Sequence, residues 1–123
     1  MGNGPIRSYR DLIAWQRSMD LAVGCHRFAC SLPRSEQFEL AAQLRRAASA
    51  VPLNIAEGFG LATGPAFAKH LRIARGSTFE VQTAIELCAR LELARSPSDL
   101  VQLSEETVRL IQGLLKSIGR KDK

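Results

Sequence analysis

Apolar residues recur along this chain at alternating steps of three and four, the spacing that places them on one face of an α-helix. The first such segment follows Asp11, the predicted N-cap, and closes at Leu32-Pro33. Its apolar positions are Leu12, Trp15, Met19, Ala22, His26 and Ala29. The pattern predicts an amphipathic first helix that packs one side against a core.

A second helix is predicted from Ser35 to Gly58 or Gly60, and it contains an interior proline, Pro52. Such a proline removes a backbone hydrogen bond and clashes with the preceding turn, at a cost of about 3 kcal/mol. We therefore predict that this helix is bent near Pro52. Its apolar positions are Leu40, Leu44, Ala47, Val51 and Ile55.

Two further helices are predicted, the third capped by Thr63 and the fourth starting at Ser96-Pro97. Their apolar seams are Phe67, Leu71, Ala74, Thr78, Val81, Ile85 and Cys88 in the third helix and Leu100, Leu103, Thr107, Leu110 and Leu114 in the fourth. Short connections between long helices make sequential neighbours antiparallel. The chain is therefore predicted to be an all-α, antiparallel up-down four-helix bundle. It forms one domain over residues 1–123, with an ordered core at about 8–118.

Composition is that of a folded protein, with 46% hydrophobic and 24% charged residues. No apolar run approaches the roughly 20 residues that span a bilayer, and no secretory signal is recognisable. We expect a cytoplasmic protein with no membrane partner. The cysteines Cys25, Cys30 and Cys88 form no C-x-x-C pair and are odd in number, which argues against a disulfide framework or a zinc site.

Positive charge is concentrated in the first part of the chain. Residues 1–75 contain ten Lys/Arg and five Asp/Glu, a balance of +5, whereas residues 76–123 contain seven of each. Several cations have no acidic residue three or four positions away, among them Arg45, Arg46, Lys69, Arg72 and Arg75. Unneutralised basic surfaces attract polyanions by counterion release, so these residues are candidate phosphate contacts. The alternative is that they are solvated or pair across helices with Glu57 and Glu80.

Catalytic motifs are not recognisable in the sequence. His26 falls on an apolar seam, and His70 lies among basic residues without an evident carboxylate or nucleophile partner. There is no G-x-S-x-G elbow, no Glu-x-x-His pair and no phosphate-binding glycine loop. We expect a protein that is not an enzyme and that uses no cofactor and no metal.

Three separated motifs resemble a known family. They are Asp11-Leu12-Ile13-Ala14-Trp15-Gln16, then Arg45-Arg46-Ala47 with Pro52-Leu53-Asn54-Ile55-Ala56-Glu57-Gly58, then Ile73-Ala74-Arg75-Gly76-Ser77 with Glu80. In this order they resemble the bacterial four-helix bundle proteins known as large-subunit ribosomal RNA intervening-sequence proteins. A related group is the accessory variability determinant of diversity-generating retroelements.

The resemblance implies a small bundle that assembles as a ring-like homopentamer and binds nucleic acid, either RNA or DNA. In the retroelement relatives, the basic pentamer binds nucleic acid and a reverse transcriptase. A protein-binding adaptor or scaffold without direct nucleic-acid contact is therefore the alternative function. Large apolar residues beyond the needs of one seam (Trp15, Phe28, Phe38 and Phe59) also favour an oligomer.

The shared motif residues have two interpretations. In the functional one, Arg45, Arg46 and Arg75 contact phosphates, and Lys69 and Arg72 extend the surface. In the structural one, Asn54, Glu57 and Glu80 form a buried polar network that fixes the second helix against the third. Arg75 fits either role.

Overall fold

The computed structural model describes residues 5–121, and within them it contains helices and turns but no strand. The four helices are α1 (Ile13–Cys30), α2 (Leu40–Gly60), α3 (Gly64–Arg90) and α4 (Ser98–Lys121). Short 3-10 turns at Tyr9–Asp11 and Arg34–Glu36 precede α1 and α2. The predicted all-helical fold with four helices is confirmed. Residues 1–4 and 122–123 of the predicted domain lie outside the described part of the chain.

The helices form a closed set of neighbours, since α2 and α4 each pack against both α1 and α3. The core has two layers of buried residues. One joins the end of α1 and the start of α2 to the end of α3, around Cys25, Leu44 and Ile85. The other joins the end of α2 to the start of α3 and the later part of α4, around Ile55, Leu71 and Ile111. This distribution is compatible with the predicted up-down arrangement.

The entry to α1 differs from the prediction that Asp11 caps it. The Asp11 carboxylate accepts hydrogen bonds from the backbone N–H groups of Arg7 and Ser8, at 2.9 and 3.1 Å, within a capping box that closes the preceding 3-10 turn. These two backbone bonds lower the pKa of Asp11. The N-cap of α1 is Leu12, which offers no capping side chain.

The buried face of α1 agrees with the predicted stripe in part: Leu12, Ala22 and Ala29 are buried as predicted, whereas Trp15, Met19 and His26 are not. Its buried residues are Ala14, Ser18, Leu21, Ala22, Cys25 and Ala29. Trp15 and His26 are only half-buried and Met19 is exposed. The small side chains of Ala14 and Ser18 are thus buried, whereas the larger side chains of Trp15 and Met19 beside them lie nearer the surface.

The start of α2 also differs from the prediction, because residues 34–36 form a separate 3-10 turn and the helix begins at Leu40. From there α2 runs unbroken through Pro52, which is buried. Leu44, Val51 and Ile55 are buried as the apolar pattern requires. The bend at Pro52 stays a prediction.

The third helix follows the prediction closely. The Thr63 hydroxyl accepts a hydrogen bond from the backbone N–H of Ala66 at 3.3 Å, as expected of its N-cap. Every predicted seam residue from Leu71 to Cys88 is buried. At Gly58 the α2 backbone comes very close to α3, since a Cβ built there would lie 2.6 Å from the His70 Cβ. This close approach sets α2 and α3 in register.

Candidate nucleic-acid interface

The basic residues at the start of α3 are accessible. Lys69 and Arg72 are exposed and Arg75 is half-buried. None of the three takes part in an ion pair within residues 5–121. Because a helix has 3.6 residues per turn, each cation three positions further along lies about 60° short of a full turn from the previous one. The cations therefore wind across the outer face of α3 instead of gathering at one point.

Arg46 lies elsewhere, at a cavity between α2 and α3. The cavity has a volume of about 490 Å³ and is lined by Gln43, Arg46, Ala47, Ala50, Ser77, Glu80 and Ala84. Arg46 and Glu80 are exposed, whereas Ser77 is buried. The structure thus brings together at one cavity a predicted phosphate contact and a predicted network carboxylate.

Arg45 is held within the fold. Its guanidinium donates to the side-chain oxygen of Gln37 at 3.1 and 3.3 Å and to the Gln37 backbone carbonyl at 3.2 Å. The Gln37 amide in turn donates to the carbonyls of Ala29 and Leu32, both at 2.9 Å. Arg45 is half-buried and ties the α1–α2 connection to α2, so its donors are largely used by the fold and not by a ligand.

Asn54 joins α2 to α3 through a histidine. Its amide NH₂ donates to the Ala50 carbonyl at 2.8 Å, and its Oδ1 lies 3.0 Å from Nδ1 of His70. The other ring nitrogen of His70 lies 3.9 Å from the Glu57 carboxylate. Because Oδ1 only accepts, Nδ1 carries the hydrogen and Nε2 faces Glu57.

The predicted buried network is thus corrected in two of its members. The side chain of Glu57 is 65% exposed, and Glu80 is exposed at the cavity rim. Arg75 forms no ion pair with either carboxylate within the described residues. Carboxylates retain water where no buried cation compensates for desolvation, which places both at the surface.

The α1–α2 side carries an apolar groove that includes Trp15 and Met19, two residues that the sequence pattern assigned to the core. It has a volume of about 680 Å³, and its lining includes Trp15, Met19, Val23, Pro52 and Leu53. At its edge the Tyr9 and Trp15 rings meet edge to face, with centroids 5.2 Å apart, and the Arg10 guanidinium lies over both rings. This groove is an exposed apolar surface.

The remaining histidine and the buried cysteines are held within the fold. His26 hydrogen-bonds through Nδ1 to the Ala22 carbonyl at 2.9 Å. Burial raises the pKa of the Cys25 thiol to about 12, and burial, with a smaller contribution from Glu36, raises that of Cys88. Across residues 5–121, no three His, Cys, Asp or Glu side chains are grouped to hold a metal ion.

Sequence reasoning missed Gln37 and the carboxylate partner of His70. The role of Gln37 depends on the 3-10 turn that precedes α2, and a lone Gln in a connection gives no signal of it. The pairing of His70 with Asn54 and Glu57 depends on the register of α2 against α3. Gly58 was the one available clue, since a glycine within a helix often marks close packing.

A family model described as 23S rRNA-intervening sequence protein matches residues 10–116, nearly the whole described chain. The chain belongs to this family. The match covers all three motifs and extends into α4, as the resemblance implied. No curated protein matches the chain. In the described part of this intervening-sequence protein, none of the helices combines the length and apolarity needed to cross a bilayer.

Proposed function

We propose that this intervening-sequence protein is a non-catalytic, oligomeric nucleic-acid-binding protein of the cytoplasm. The main support is that Arg46, Lys69 and Arg72 are exposed and that none of them forms an ion pair within residues 5–121. By contrast, Arg17 pairs with Asp20 at 2.7 Å, and Arg90 pairs with Glu86 at 2.6 Å. The unpaired cations are available to phosphates.

The spacing of these cations suits an extended polyanion. Lys69 and Glu80 are separated by about 16 Å along the α3 axis, and the cavity that holds Arg46 lies at the Glu80 end. A nucleic-acid strand crossing α2 and α3 would bring phosphates to Lys69, Arg72 and Arg46. Contacts of this kind position a strand without reading its sequence. Repetition of the surface in an oligomer would multiply the contacts.

The histidines support the non-catalytic part of the proposal. His26 is bonded to the backbone of its own helix, and His70 is bonded to Asn54. Within the described residues, neither is hydrogen-bonded to a Ser, Thr or Cys that it could activate.

The test measures fluorescence anisotropy of labelled RNA and DNA, single- and double-stranded, at two salt concentrations. Affinity should fall steeply as salt rises, because bound phosphates release counterions. Arg46→Glu combined with Arg72→Glu should reduce affinity by at least about a hundredfold at the lower salt.

The matched control is Arg109→Glu combined with Arg120→Glu, which changes the net charge equally through exposed residues of α4. This control should bind almost as well as the unaltered protein. Equal loss in both double variants would show that binding follows net charge and not the α2–α3 surface. Undiminished binding by the Arg46/Arg72 variant would contradict the proposal.

The oligomeric part is supported by unpartnered apolar surface. Leu53 in the α1–α2 groove is 66% exposed, and Phe38, in the connection before α2, is 92% exposed. The groove and the exposed ring of Phe38 lie on different parts of the chain. A contact between two such different surfaces is heterologous, and repeated contacts of this type form a ring when the rotation between neighbouring copies closes. We propose that the groove binds a second copy of the chain in a homopentamer.

Light scattering at micromolar concentration tests the assembly. The unaltered protein should have the mass of a pentamer, and Leu53→Asp should shift the population toward the monomer. Leu61→Asp is the control, since Leu61 is similarly exposed at the end of α2 but does not line the groove. A monomeric unaltered protein would contradict the proposed assembly.

The same groove gives the second candidate function, a protein-binding adaptor. If a monomeric protein captured a host partner after nuclease treatment, and Leu53→Asp abolished that capture, the adaptor function would replace nucleic-acid binding. A reverse transcriptase is the partner class that the resemblance suggests.

A further inference from the structure

The cavity between α2 and α3 combines a small apolar interior with charged groups at its rim. Ala47, Ala50 and Ala84 are half-buried and Ser77 is buried, whereas Gln43, Arg46 and Glu80 are exposed. The small side chains therefore lie deeper than the long polar ones. Its volume of about 490 Å³ falls within the usual range of small-molecule sites, roughly 300–1,000 Å³.

Glu80 is anomalous on a surface that we propose to bind phosphates, because its carboxylate repels them. Within residues 5–121 it forms no ion pair that would neutralise it, although Arg46 lines the same cavity. An ionised carboxylate only accepts hydrogen bonds, and a guanidinium only donates them. A ligand that satisfies both must present N–H donors to Glu80 and an acceptor or an anion to Arg46.

Among the nucleobases, guanine meets the first requirement best. Its Watson–Crick edge carries two adjacent donors, N1–H and N2–H, which match the two oxygens of one carboxylate. Adenine and cytosine offer one donor beside an acceptor there, and uracil offers one donor between two acceptors. Unpaired bases are commonly recognised by hydrogen bonds to this edge. The adjoining phosphate supplies the anion for Arg46.

We infer that the α2–α3 cavity binds an unpaired guanine of a bound single strand. Glu80 accepts hydrogen bonds from guanine N1–H and N2–H, the small side chains contact the face of the base, and Arg46 donates to a neighbouring phosphate. This inference rests on the proposed nucleic-acid binding and adds base selectivity to it. Glu80 is then the residue that determines specificity.

The experiment compares three nine-residue oligouridines whose central base is guanine, hypoxanthine or adenine, with matched DNA oligonucleotides as a second arm. Hypoxanthine differs from guanine only by lacking the N2 amino group. The unaltered protein should bind the guanine strand about tenfold more tightly than the hypoxanthine strand, and the adenine strand more weakly still. Glu80→Ala should remove the preference, whereas Glu86→Ala, on the same helix but outside the cavity, should retain it.

Each outcome bears on a different part of the inference. Salt-dependent binding with equal affinity for the guanine and hypoxanthine strands overturns the guanine site and leaves the proposed function standing. A guanine preference that survives Glu80→Ala overturns its assignment to this cavity. Absence of binding to every one of these single strands overturns the guanine site, and the proposed function is overturned with it only if the double-stranded RNA and DNA also fail to bind.

Discussion

The side-chain oxygen of Asn54 and Nδ1 of His70 lie 3.0 Å apart, which joins α2 to α3 across sixteen positions of sequence. The amide of Asn54 is fixed in turn by its bond to the Ala50 carbonyl. The His70 side chain is only 15% exposed, so water cannot readily replace Asn54. The pair is therefore a structural link between the two helices that carry the proposed interface.

Asn54→Ala should lower the free energy of unfolding by about 1–3 kcal/mol, because it leaves a half-buried donor of His70 without a partner. In a double-mutant cycle with His70→Ala, urea unfolding should give a coupling energy of about 0.5–3 kcal/mol. Glu57→Gln is the control and should have a much smaller effect, since its carboxylate is mostly exposed and 3.9 Å away. Strictly additive single substitutions would show that the bond contributes nothing.

Gly58→Ala should destabilise the fold by about 1–3 kcal/mol, since the added methyl group would meet the Cβ of His70 at 2.6 Å and force the helices apart. Gly60→Ala is the matched control within α2, because nothing lies within 4 Å of a Cβ at that position. It should leave stability unchanged or raise it by roughly 0.5–1 kcal/mol through the higher helix propensity of alanine. Thermal unfolding of both variants checks the difference, and equal midpoints would contradict the close approach.

Arg45→Ala and Arg46→Ala should affect different properties of the protein, stability and nucleic-acid binding, although the residues are adjacent. Arg45→Ala should lower the free energy of unfolding by about 1.5–3 kcal/mol, because it removes the charged donor to Gln37. Arg46→Ala should change stability by less than about 0.5 kcal/mol and instead weaken nucleic-acid binding. Chemical unfolding and anisotropy on the same samples separate the two effects. Weakened binding by a fully stable Arg45→Ala variant would restore Arg45 as a ligand contact.

Thiol labelling should distinguish the three cysteines. At pH 8, iodoacetamide should modify Cys30 much faster than the other two, because Cys30 is exposed while burial raises the pKa of Cys25 to about 12 and also raises that of Cys88. Peptide mass spectrometry measures each rate, and all three thiols should react in denaturant. Fast labelling of native Cys25 would contradict the packing around α1.

The sequence pattern predicted the helices well wherever apolar residues were large and regularly spaced, as in α3 from Leu71 to Cys88. It was right only in part in α1: Ala22 and Ala29 are buried as predicted, but Ala14 and Ser18 are buried although they are less apolar than the exposed Met19. Close packing favours small residues between helices, and a hydrophobicity pattern does not record it. Trp15, Met19 and His26 of the predicted stripe instead line the α1–α2 groove.

The candidate site was predictable only in part, for a similar reason. Local spacing identified Arg46, Lys69 and Arg72 as cations without an acidic neighbour, and they are exposed. Local spacing could not distinguish the structural role of Arg45 from the exposed position of Arg46. The difference depends on Gln37, which directly follows the 3-10 turn before α2. Nor could local spacing place Glu80 beside Arg46, which requires the relative rotation of α2 and α3.

That rotation depends on a connection of three residues, Leu61 to Thr63, in which Ala62 adopts a left-handed conformation with φ of 63°. Glycine adopts this conformation without strain, whereas a β-branched residue at position 62 would be strongly disfavoured. Substitution of this one exposed residue can therefore change the direction in which α3 leaves α2, and with it the placement of Glu80 relative to Arg46.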